Sequence, residues 1–341
     1  MVTKNIFSTQ INRNCFENNL VRKVVFAAAM LTLSTWLGAC SDVPLRSGHD
    51  SSAKSPFDNE KPQVVPAAKP GGGQSVSSAG ATIEGAATGR RMAVILGPGG
   101  FKTFAHAGVI KELRKNNIPI DSIAGIEWGA LVAGLYAQRG QIHEAEWKLY
   151  KLEKLDLNST SFFSRKREAK STKVLQGFLS ENLGGIDAGQ TATPFVCPSL
   201  NVSKGAAYLQ KAGPLNRVVE NCLGSPPMFT PQNDYVAALF SVEEVVRHLK
   251  MNGFNVIVLV NVLGDGNLFD KVDYNEDYAT AVLWDEARRE IWRARSLVTD
   301  VIDVTTQGIS MSDFESRKVL VTAGEAAGEK AAHALAAKYG W

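Results

Sequence analysis

Residues 92–137 read MAVILGPGGFKTFAHAGVIKELRKNNIPIDSIAGIEWGALVAGLYA. The stretch opens with a short continuous apolar run, residues 92–96, that ends in a Gly-rich turn, which is the pattern of a strand buried on both faces. Apolar residues then recur at helical spacing before Asn116, and residues 118–124 predict the next strand. A strand, a helix and a second strand in this order predict a βαβ unit with parallel strands.

The second strand leads into Gly125-Ile126-Glu127-Trp128-Gly129, where an apolar helix over about 128–138 begins. A strand that turns sharply into a helix needs small residues on both sides of the central one, whose side chain then stands above the sheet. The pentapeptide therefore has the layout of a hydrolase nucleophile elbow, with Glu127 at the position where serine is expected.

Helices and strands continue to alternate along the rest of the chain. Periodicity predicts helices over 143–158, 173–183, 214–222, 276–297 and 317–338, and strands over 193–200, 206–209 and 255–262. This alternation predicts an α/β domain over residues 91–341, with a mostly parallel central sheet and helices on both faces.

The N-terminal segment has the pattern of an export signal. Arg22 and Lys23 precede an apolar run, residues 24–36, that is shorter than the roughly 20 residues needed to span a bilayer. The run ends in Leu37-Gly38-Ala39-Cys40, which resembles the lipobox of bacterial lipoproteins; an ordinary secretory signal would not need Cys there. We therefore predict a signal peptide over 1–39, lipid on Cys40 and a flexible tether over 40–90.

These features predict a protein tethered by lipid to a membrane of the bacterial cell envelope. Ser41 follows the lipidated Cys and favours the outer membrane, facing the periplasm. The chain has 37 Lys and Arg and 34 Asp and Glu; removing four basic residues and one acidic residue with the signal leaves no net charge. A neutral protein without a dominant basic cluster is not expected to bind nucleic acid. The sequence predicts neither a cofactor nor a metal site.

Two cysteines remain once Cys15 in the signal and Cys40 are set aside. Cys197 and Cys222 could pair in an oxidising envelope, but two cysteines alone do not establish a disulfide. The expectation is two small buried side chains.

Residues 92–337 resemble a patatin-like phospholipase domain. Members of this family carry a Gly-Gly-Gly-x-Arg-Gly loop, then Ala-His-x-Gly-Val, then Gly-x-Ser-x-Gly, and later an Asp-Gly-Gly/Ala whose Asp completes a Ser-Asp dyad. Residues 105–109, Ala-His-Ala-Gly-Val, match, and so do 118–137 apart from Glu127. Segments 213–229 and 309–314 resemble later parts of the family. The resemblance implies a three-layer patatin-like fold and a lipid acyl hydrolase as the ancestral activity.

The departures from the family pattern fall on the chemistry. The oxyanion loop aligns as Pro98-Gly99-Gly100-Phe101-Lys102-Thr103, in which Pro98 has no N–H to donate. Glu127 replaces the serine, and near Ala237 an alanine or a deletion falls where the dyad Asp is expected. A serine nucleophile needs its base, so the loss of both groups indicates relaxed demand for chemistry.

Two main hypotheses follow for the function, beside the possibility of a purely structural lipoprotein of the envelope that binds no ligand. The first is an inactive pseudoenzyme that binds a lipid, an acyl chain or a protein of unknown identity. In this hypothesis the carboxylate of Glu127 is a built-in anion that fills the former oxyanion hole, and Lys102 supplies a counter-charge. The alternative is an active phospholipase or esterase that uses Glu127 or an unrecognised residue. A Glu127 nucleophile would need a base, for which His106 and Asp265 are the candidates. We expect His106 to be structural and Asp265-Gly266 to form a turn.

Overall fold

Strand β1, Met92–Leu96, lies at the centre of the sheet, and its five apolar side chains are all completely buried. The computed structural model describes residues 89–152, 170–226, 229–230, 233–264 and 278–341. Side chains of β1 alternate between the two faces of the sheet, as the period of a strand requires. Met92, Val94 and Leu96 join one apolar core, and Ala93 and Ile95 join a second one.

Eight further strands lie in the described residues, and six of them extend the sheet on both sides of β1. They are β2 (Ser122–Gly125), β3 (Lys170–Ser171), β4 (Phe195–Asn201), β5 (Ala206–Gln210), β6 (Phe229–Thr230), β7 (Tyr235–Ala237), β8 (Val256–Asn261) and β9 (Asp300–Asp303). The strand order across the sheet is β5-β4-β2-β1-β8-β9. The neighbouring pairs β4-β2, β2-β1, β1-β8 and β8-β9 are parallel, whereas β5 and β7 both pair antiparallel with β4. Strands β3 and β6 form a separate parallel pair. The predicted α/β fold with a mostly parallel sheet is confirmed.

Helices cover both faces of this sheet. They are α1 (Ala105–Lys115), α2 (Trp128–Ala137), α3 (Ile142–Lys151), α4 (Gln176–Leu183), α5 (Leu215–Leu223), α6 (Val242–Met251), α7 (Tyr278–Ala294) and α8 (Arg317–Tyr339). Residues of α1, α2 and α8 fill the core on one face, and residues of α6 and α7 fill the core on the other. Two packed cores separated by one sheet give the three-layer arrangement expected from the sequence.

Helices α1 and α8 pack unusually closely. A Cβ placed on Gly108 would lie 2.1 Å from the carbonyl oxygen of Val321, and one on Gly324 would lie 1.9 Å from that of Ala105. Only glycine allows the two backbones to approach so closely. This contact fixes the start of α1 and, with it, the Gly-rich loop that precedes the helix.

The structure corrects several details of the sequence prediction. The second strand is only Ser122–Gly125; upstream of it, Met92 and Asp121 share two hydrogen bonds that fasten the entry to the sheet. Helix α6 was missed although Val242, Val245, Val246 and Leu249 are buried at helical spacing. The sequence does not predict strand β9, because four residues at the edge of a sheet are too few to show a clear alternation of apolar and polar side chains. The part of the predicted helix beyond residue 152 lies outside the described residues.

Cys197 and Cys222 form a disulfide between β4 and the last turn of α5, with an S–S distance of 2.07 Å. Both cysteines are completely buried, as expected, and they are paired, which the sequence alone leaves open. The sequence could not reveal this, because pairing depends on α5 folding back against β4.

Across the described residues, we find no helix that combines the length and the apolar character needed to cross a bilayer.

Candidate functional site at the strand–helix elbow

Glu127 occupies the turn between β2 and α2 in a backbone conformation that few residues other than glycine adopt. Its φ is 57° and its ψ is −129°. The preceding Ile126 N–H donates to the carbonyl of Leu96 at 2.9 Å, which ties the turn to the end of β1. Such strain persists only where the surrounding structure enforces it, and it is typical of the residue at the centre of an elbow.

The two glycines that flank the elbow are required by packing. A Cβ on Gly125 would lie 2.4 Å from the backbone of Ala130. A Cβ on Gly129 would lie 2.6 Å from the carbonyl oxygen of Leu96. The start of α2 therefore presses directly on the ends of β1 and β2, which explains the Gly-x-x-x-Gly spacing recognised in the sequence.

The carboxylate of Glu127 turns inward and is saturated with hydrogen-bond donors. Oε2 accepts from the N–H of Gly99 at 3.1 Å and from that of Gly100 at 2.9 Å. Oε1 accepts from the hydroxyl of Ser225 at 2.7 Å, and the N–H of Trp128 also donates to the carboxylate. The side chain has no exposed surface. The sequence-based hypothesis that Glu127 reaches the N–H groups of Gly99 and Gly100 agrees with these distances.

Burial and hydrogen bonding act on this carboxyl group in opposite directions. Loss of solvent raises the pKa of Glu127, and the hydrogen bonds from Trp128, Ser225, Gly100 and Gly99 oppose that rise without cancelling it. The donors favour the ionised group, since each lone pair they occupy carries more charge in that form. The net pKa remains above the ordinary value.

Only part of the predicted oxyanion loop faces the elbow. The N–H of Phe101 donates to the carbonyl of Met311 at 2.8 Å, and the N–H of Lys102 donates to the carbonyl of Gly99 at 3.1 Å. These two amides are therefore already hydrogen-bonded within the protein. The part of the predicted oxyanion loop whose N–H groups face the elbow is Gly99 and Gly100. Lys102 is itself buried within the short 3₁₀ turn Gly100–Phe104.

Aromatic side chains enclose the elbow. Phe101 stacks edge-on against Trp128, with ring centroids 4.9 Å apart, and Trp128 lies 5.5 Å from Phe229. Phe314 packs against Phe101 at 5.3 Å. All four rings are buried. Their low polarity increases the cost of ionising Glu127 and increases the strength of each hydrogen bond it accepts.

His106 supports the loop and is remote from solvent. Its Nε2 lies 2.8 Å from the carbonyl oxygen of Gly97, so Nε2 carries the proton that it donates. Nδ1 is buried without a partner among the described residues. Complete burial lowers the pKa of His106 to about 4, against the opposing effect of the Gly97 hydrogen bond. A neutral, completely buried imidazole that holds the carbonyl of Gly97 through Nε2 fits the structural role expected for His106.

The segment where the dyad Asp was sought forms part of the sheet. Ala237 ends β7, is buried, and donates its N–H to the carbonyl of Gly224 at 2.7 Å. The groups that hydrogen-bond Glu127 among the described residues are three main-chain amides and one hydroxyl. Ser225, which supplies that hydroxyl, is not singled out by the sequence, because its position just after α5, opposite the elbow, has no local signature.

Asp265, the alternative base, and Cys40, the predicted lipid site, lie outside the described residues. Within the described part of the chain, no group of three or more His, Cys, Asp or Glu side chains is arranged to hold a metal.

Comparison with known proteins gives a family match over most of this domain. A family model described as patatin-like phospholipase matches residues 94–304. A solved structure, VipD from Legionella pneumophila, superposes with a TM-score of 0.42 at 12% identity over 72% of this chain and 67% of that one.

Three curated relatives show the level of sequence similarity. Lysophospholipase nte1 of Emericella nidulans is 24% identical over 210 residues, 59% of this chain and 14% of that protein. An NTE family protein of Mycobacterium tuberculosis is 27% identical over 143 residues, 41% of this chain and 39% of that protein. Neuropathy target esterase sws of Drosophila persimilis is 27% identical over 164 residues, 44% and 11% respectively. The chain covers less than half the length of each.

Proposed function

The chain belongs to the patatin-like phospholipase family, and we propose that it is a catalytically inactive, lipid-anchored member that acts by binding a lipid or a protein. The observation that carries the proposal is the carboxylate of Glu127, which takes the N–H groups of Gly99 and Gly100 for itself.

An acyl hydrolase needs free donors where negative charge develops on the substrate. Preorganised N–H groups at that point typically supply about 3–4 kcal/mol of transition-state stabilisation each. In this chain the two N–H groups point at Oε2 of Glu127, at distances of 2.9 and 3.1 Å. A substrate oxygen would have to displace a covalently tethered, completely buried carboxylate to reach them.

The same contacts argue against Glu127 as a nucleophile. Both of its oxygens already accept hydrogen bonds, and burial leaves no path of approach for an ester carbon. A carboxylate nucleophile would also need the Gly99 and Gly100 donors to stabilise the substrate oxygen, and one pair of N–H groups cannot serve both. Of the two candidate bases for this chemistry, His106 donates its Nε2 proton to Gly97, and Asp265 lies outside the described residues.

The lipid anchor and the envelope location belong to the same proposal. They are supported by the Leu37–Cys40 lipobox pattern and by the Cys197–Cys222 disulfide. Disulfides persist in oxidising compartments such as the bacterial periplasm and are rare in the cytosol. Labelling cells with an alkynyl palmitate tests the anchor: we expect label on the native chain and none on Cys40→Ser, while label retained in that variant would contradict it.

Ester hydrolysis by the full chain tests the loss of chemistry. The native chain is compared with Glu127→Ala and Glu127→Gln on short-chain esters and on phospholipids. Gln keeps the shape of the side chain and an acceptor for the Gly99 and Gly100 amides but has no nucleophilic oxygen. We expect no turnover by any of the three.

Turnover by the native chain that both variants abolish would overturn the proposal and establish a carboxylate-dependent hydrolase. Turnover that persists in both variants would also overturn it and would point to another residue. A structure of Glu127→Ala with acetate present provides the positive test: we expect acetate in the vacated site, on the amides of Gly99 and Gly100.

A further inference from the structure

A second concave site lies at the amino edge of the sheet, opposite the elbow. The cleft has a volume of about 320 Å³, at the lower end of the range of small-molecule sites. It is bounded by the residues that lead into β1, β2, β4 and β8 and by the last turn of α6. Glu127 follows the carboxyl end of β2, and none of the described lining residues forms a hydrogen bond with it. The cleft is therefore separate from the elbow.

Three basic side chains from different elements line this cleft. They are Arg91 ahead of β1, Lys211 directly after β5, and His248 in the last turn of α6. None of the three forms an ion pair within the part of the chain that the structure describes. The described lining residues also include no Asp or Glu. Each of these basic groups can therefore offer its donors to a ligand.

The guanidinium group of Arg91 is held in place by two contacts. Its Nη1 donates to the carbonyl of Asn252 at 2.8 Å, and the group lies over the ring of Phe254, 4.2 Å from the centroid. These contacts leave the Nε and Nη2 donors without a partner among the described residues. A positioned guanidinium with two parallel donors on its open edge matches the oxygens of a carboxylate or a phosphate.

Lys211 and His248 lie close enough to influence each other. The pKa of His248 is lowered, first by burial and then by the charge of Lys211, which is the charged group that acts on this imidazole. The ammonium group of Lys211 is exposed and has no acceptor among the described residues. An anion between the two would interact favourably with the ammonium group and with the protonated imidazole.

The dipole of α6 alone does not account for this arrangement. A helix C-terminus attracts cations because its last carbonyl groups lack partners. In α6 these carbonyl groups accept hydrogen bonds from the N–H groups of residues 252–254. Arg91 and Lys211 also come from outside the helix, ahead of β1 and after β5. Their convergence with His248 is a property of the cleft.

Two aspartates close in sequence to the lining residues are held by main-chain donors. The two carboxylate oxygens of Asp187 accept from the N–H groups of Gly189 and Gly213, at 2.8 and 3.1 Å. Oδ2 of Asp121 accepts from the N–H of Met92 at 2.7 Å. Neither aspartate is among the described lining residues. These carboxylates therefore stabilise the loops around the cleft and do not pair with its basic groups.

We propose that this cleft binds a small dianion through carboxylate or phosphate oxygens, held by Arg91, Lys211 and His248. A cleft of this volume suits a compact solute. The proposal goes beyond the loss of catalysis and does not depend on it, since the cleft and Glu127 lie at opposite edges of the sheet.

Calorimetric titration of the full chain in uncharged maltoside micelles tests this site. The probes are inorganic phosphate and succinate, and sodium chloride at equal ionic strength is the comparison. We expect one saturable site for at least one dianion and none for chloride. Binding of phosphate alone identifies a phosphate compound, binding of succinate alone identifies a dicarboxylate, and binding of both identifies a site for the shared double charge. Absence of saturable binding of both probes would overturn the proposal.

Lys211→Gln should weaken binding of the probe at least about fivefold, because it removes a charge-assisted hydrogen bond. The matched control is Lys204→Gln, which removes the same charge from an exposed lysine ahead of β5, outside the cleft. We expect the control to change affinity less than about twofold. Equal weakening by the two variants would show that the probe responds only to overall charge and would contradict the site.

The imidazole of His248 provides a readout that a misfolded protein cannot mimic. NMR titration follows its pKa, and His248→Asn identifies its signal among those of the other histidines. We expect the pKa to lie below the ordinary 6.5 in the free chain and to rise when phosphate or succinate is bound. A His248 pKa that does not respond to a saturating probe would overturn the proposal. Glu127→Ala should respond as the native chain does, whatever the outcome of the hydrolysis assay.

Discussion

The hydroxyl of Ser225 donates a 2.7 Å hydrogen bond to Oε1 of Glu127, a residue 98 positions earlier in the chain. Both side chains are buried, and the contact joins the turn after α5 to the elbow between β2 and α2. We expect Ser225→Ala to lower the free energy of unfolding by about 1–3 kcal/mol, because it leaves a buried acceptor without its donor. Denaturation in urea measures the change.

Ser296→Ala is the control for that variant. The hydroxyl of Ser296 also donates one hydrogen bond, to the carbonyl of Arg293, but at an exposed position. We expect a change within about 0.5 kcal/mol there. Equal effects at the two serines would contradict the importance of the contact with Glu127.

The raised pKa of Glu127 predicts how pH acts on stability. Relative to the unfolded chain, where the carboxyl group titrates near 4.5, the folded chain holds its proton to a higher pH. The stabilisation that the Glu127 carboxyl group contributes to the free energy of unfolding is therefore fully present below pH 4.5 and is lost as pH rises through the folded-state pKa. We expect the difference in unfolding free energy between the native chain and Glu127→Gln to shrink over that interval. A difference that grows with pH would mean that the folded-state pKa is lowered.

The pKa shift of His106 makes stability depend on pH in the opposite direction. Its pKa is about 4 in the folded chain against 6.5 in the unfolded one, so its contribution is present above pH 6.5 and is lost as pH falls to 4. A shift of this size corresponds to about 3 kcal/mol. We expect His106→Asn to remove most of that loss between pH 6.5 and pH 4, as followed by denaturation at each pH. An unchanged pH profile would show that the imidazole titrates normally.

Gly129→Ala tests the packing of the elbow. The added Cβ would lie 2.6 Å from the carbonyl oxygen of Leu96, and we expect a loss of about 2–3 kcal/mol from the backbone shifts that relieve the contact. Gly177→Ala in α4 is the matched control, because no atom lies within 4 Å of the new methyl group. There we expect a gain of about 0.5–1 kcal/mol from the reduced flexibility of the unfolded chain.

The Cys197–Cys222 disulfide closes a loop with a sequence separation of 25. In the chain-entropy model such a crosslink contributes about 3 kcal/mol, so reduction of the native chain should lower its unfolding free energy by about that amount. The Cys197→Ala/Cys222→Ala variant should show a similar loss and no further response to reductant. A native chain that is indifferent to reductant would argue that the cysteines are not joined.

How much of this site can be predicted from the sequence depends on whether the residues that form each feature are close together in the chain. Strand β1, the Gly-rich loop and the elbow are contiguous, so their apolar runs and glycines define them without knowledge of the rest of the chain. The contact of Glu127 with Gly99 and Gly100 could be proposed for the same reason, since both loops end parallel neighbouring strands.

Other features depend on elements far apart in sequence. Ser225 meets Glu127 only because α5 packs beside α2, and the disulfide depends on the same helix. Phe101 was assigned to the oxyanion loop, yet its N–H bonds Met311 from the far end of the chain. No local pattern could have excluded it.

The strained turn at Glu127 is imposed by the packing around it. Gly129 is pressed against the end of β1, and Ile126 is bonded to Leu96, so the joint between sheet and helix itself demands this geometry. Both glycines are therefore needed for folding, whatever chemistry the central residue performs. The two glycines of the elbow therefore report how the helix packs on the sheet, and they carry no information about catalysis by themselves.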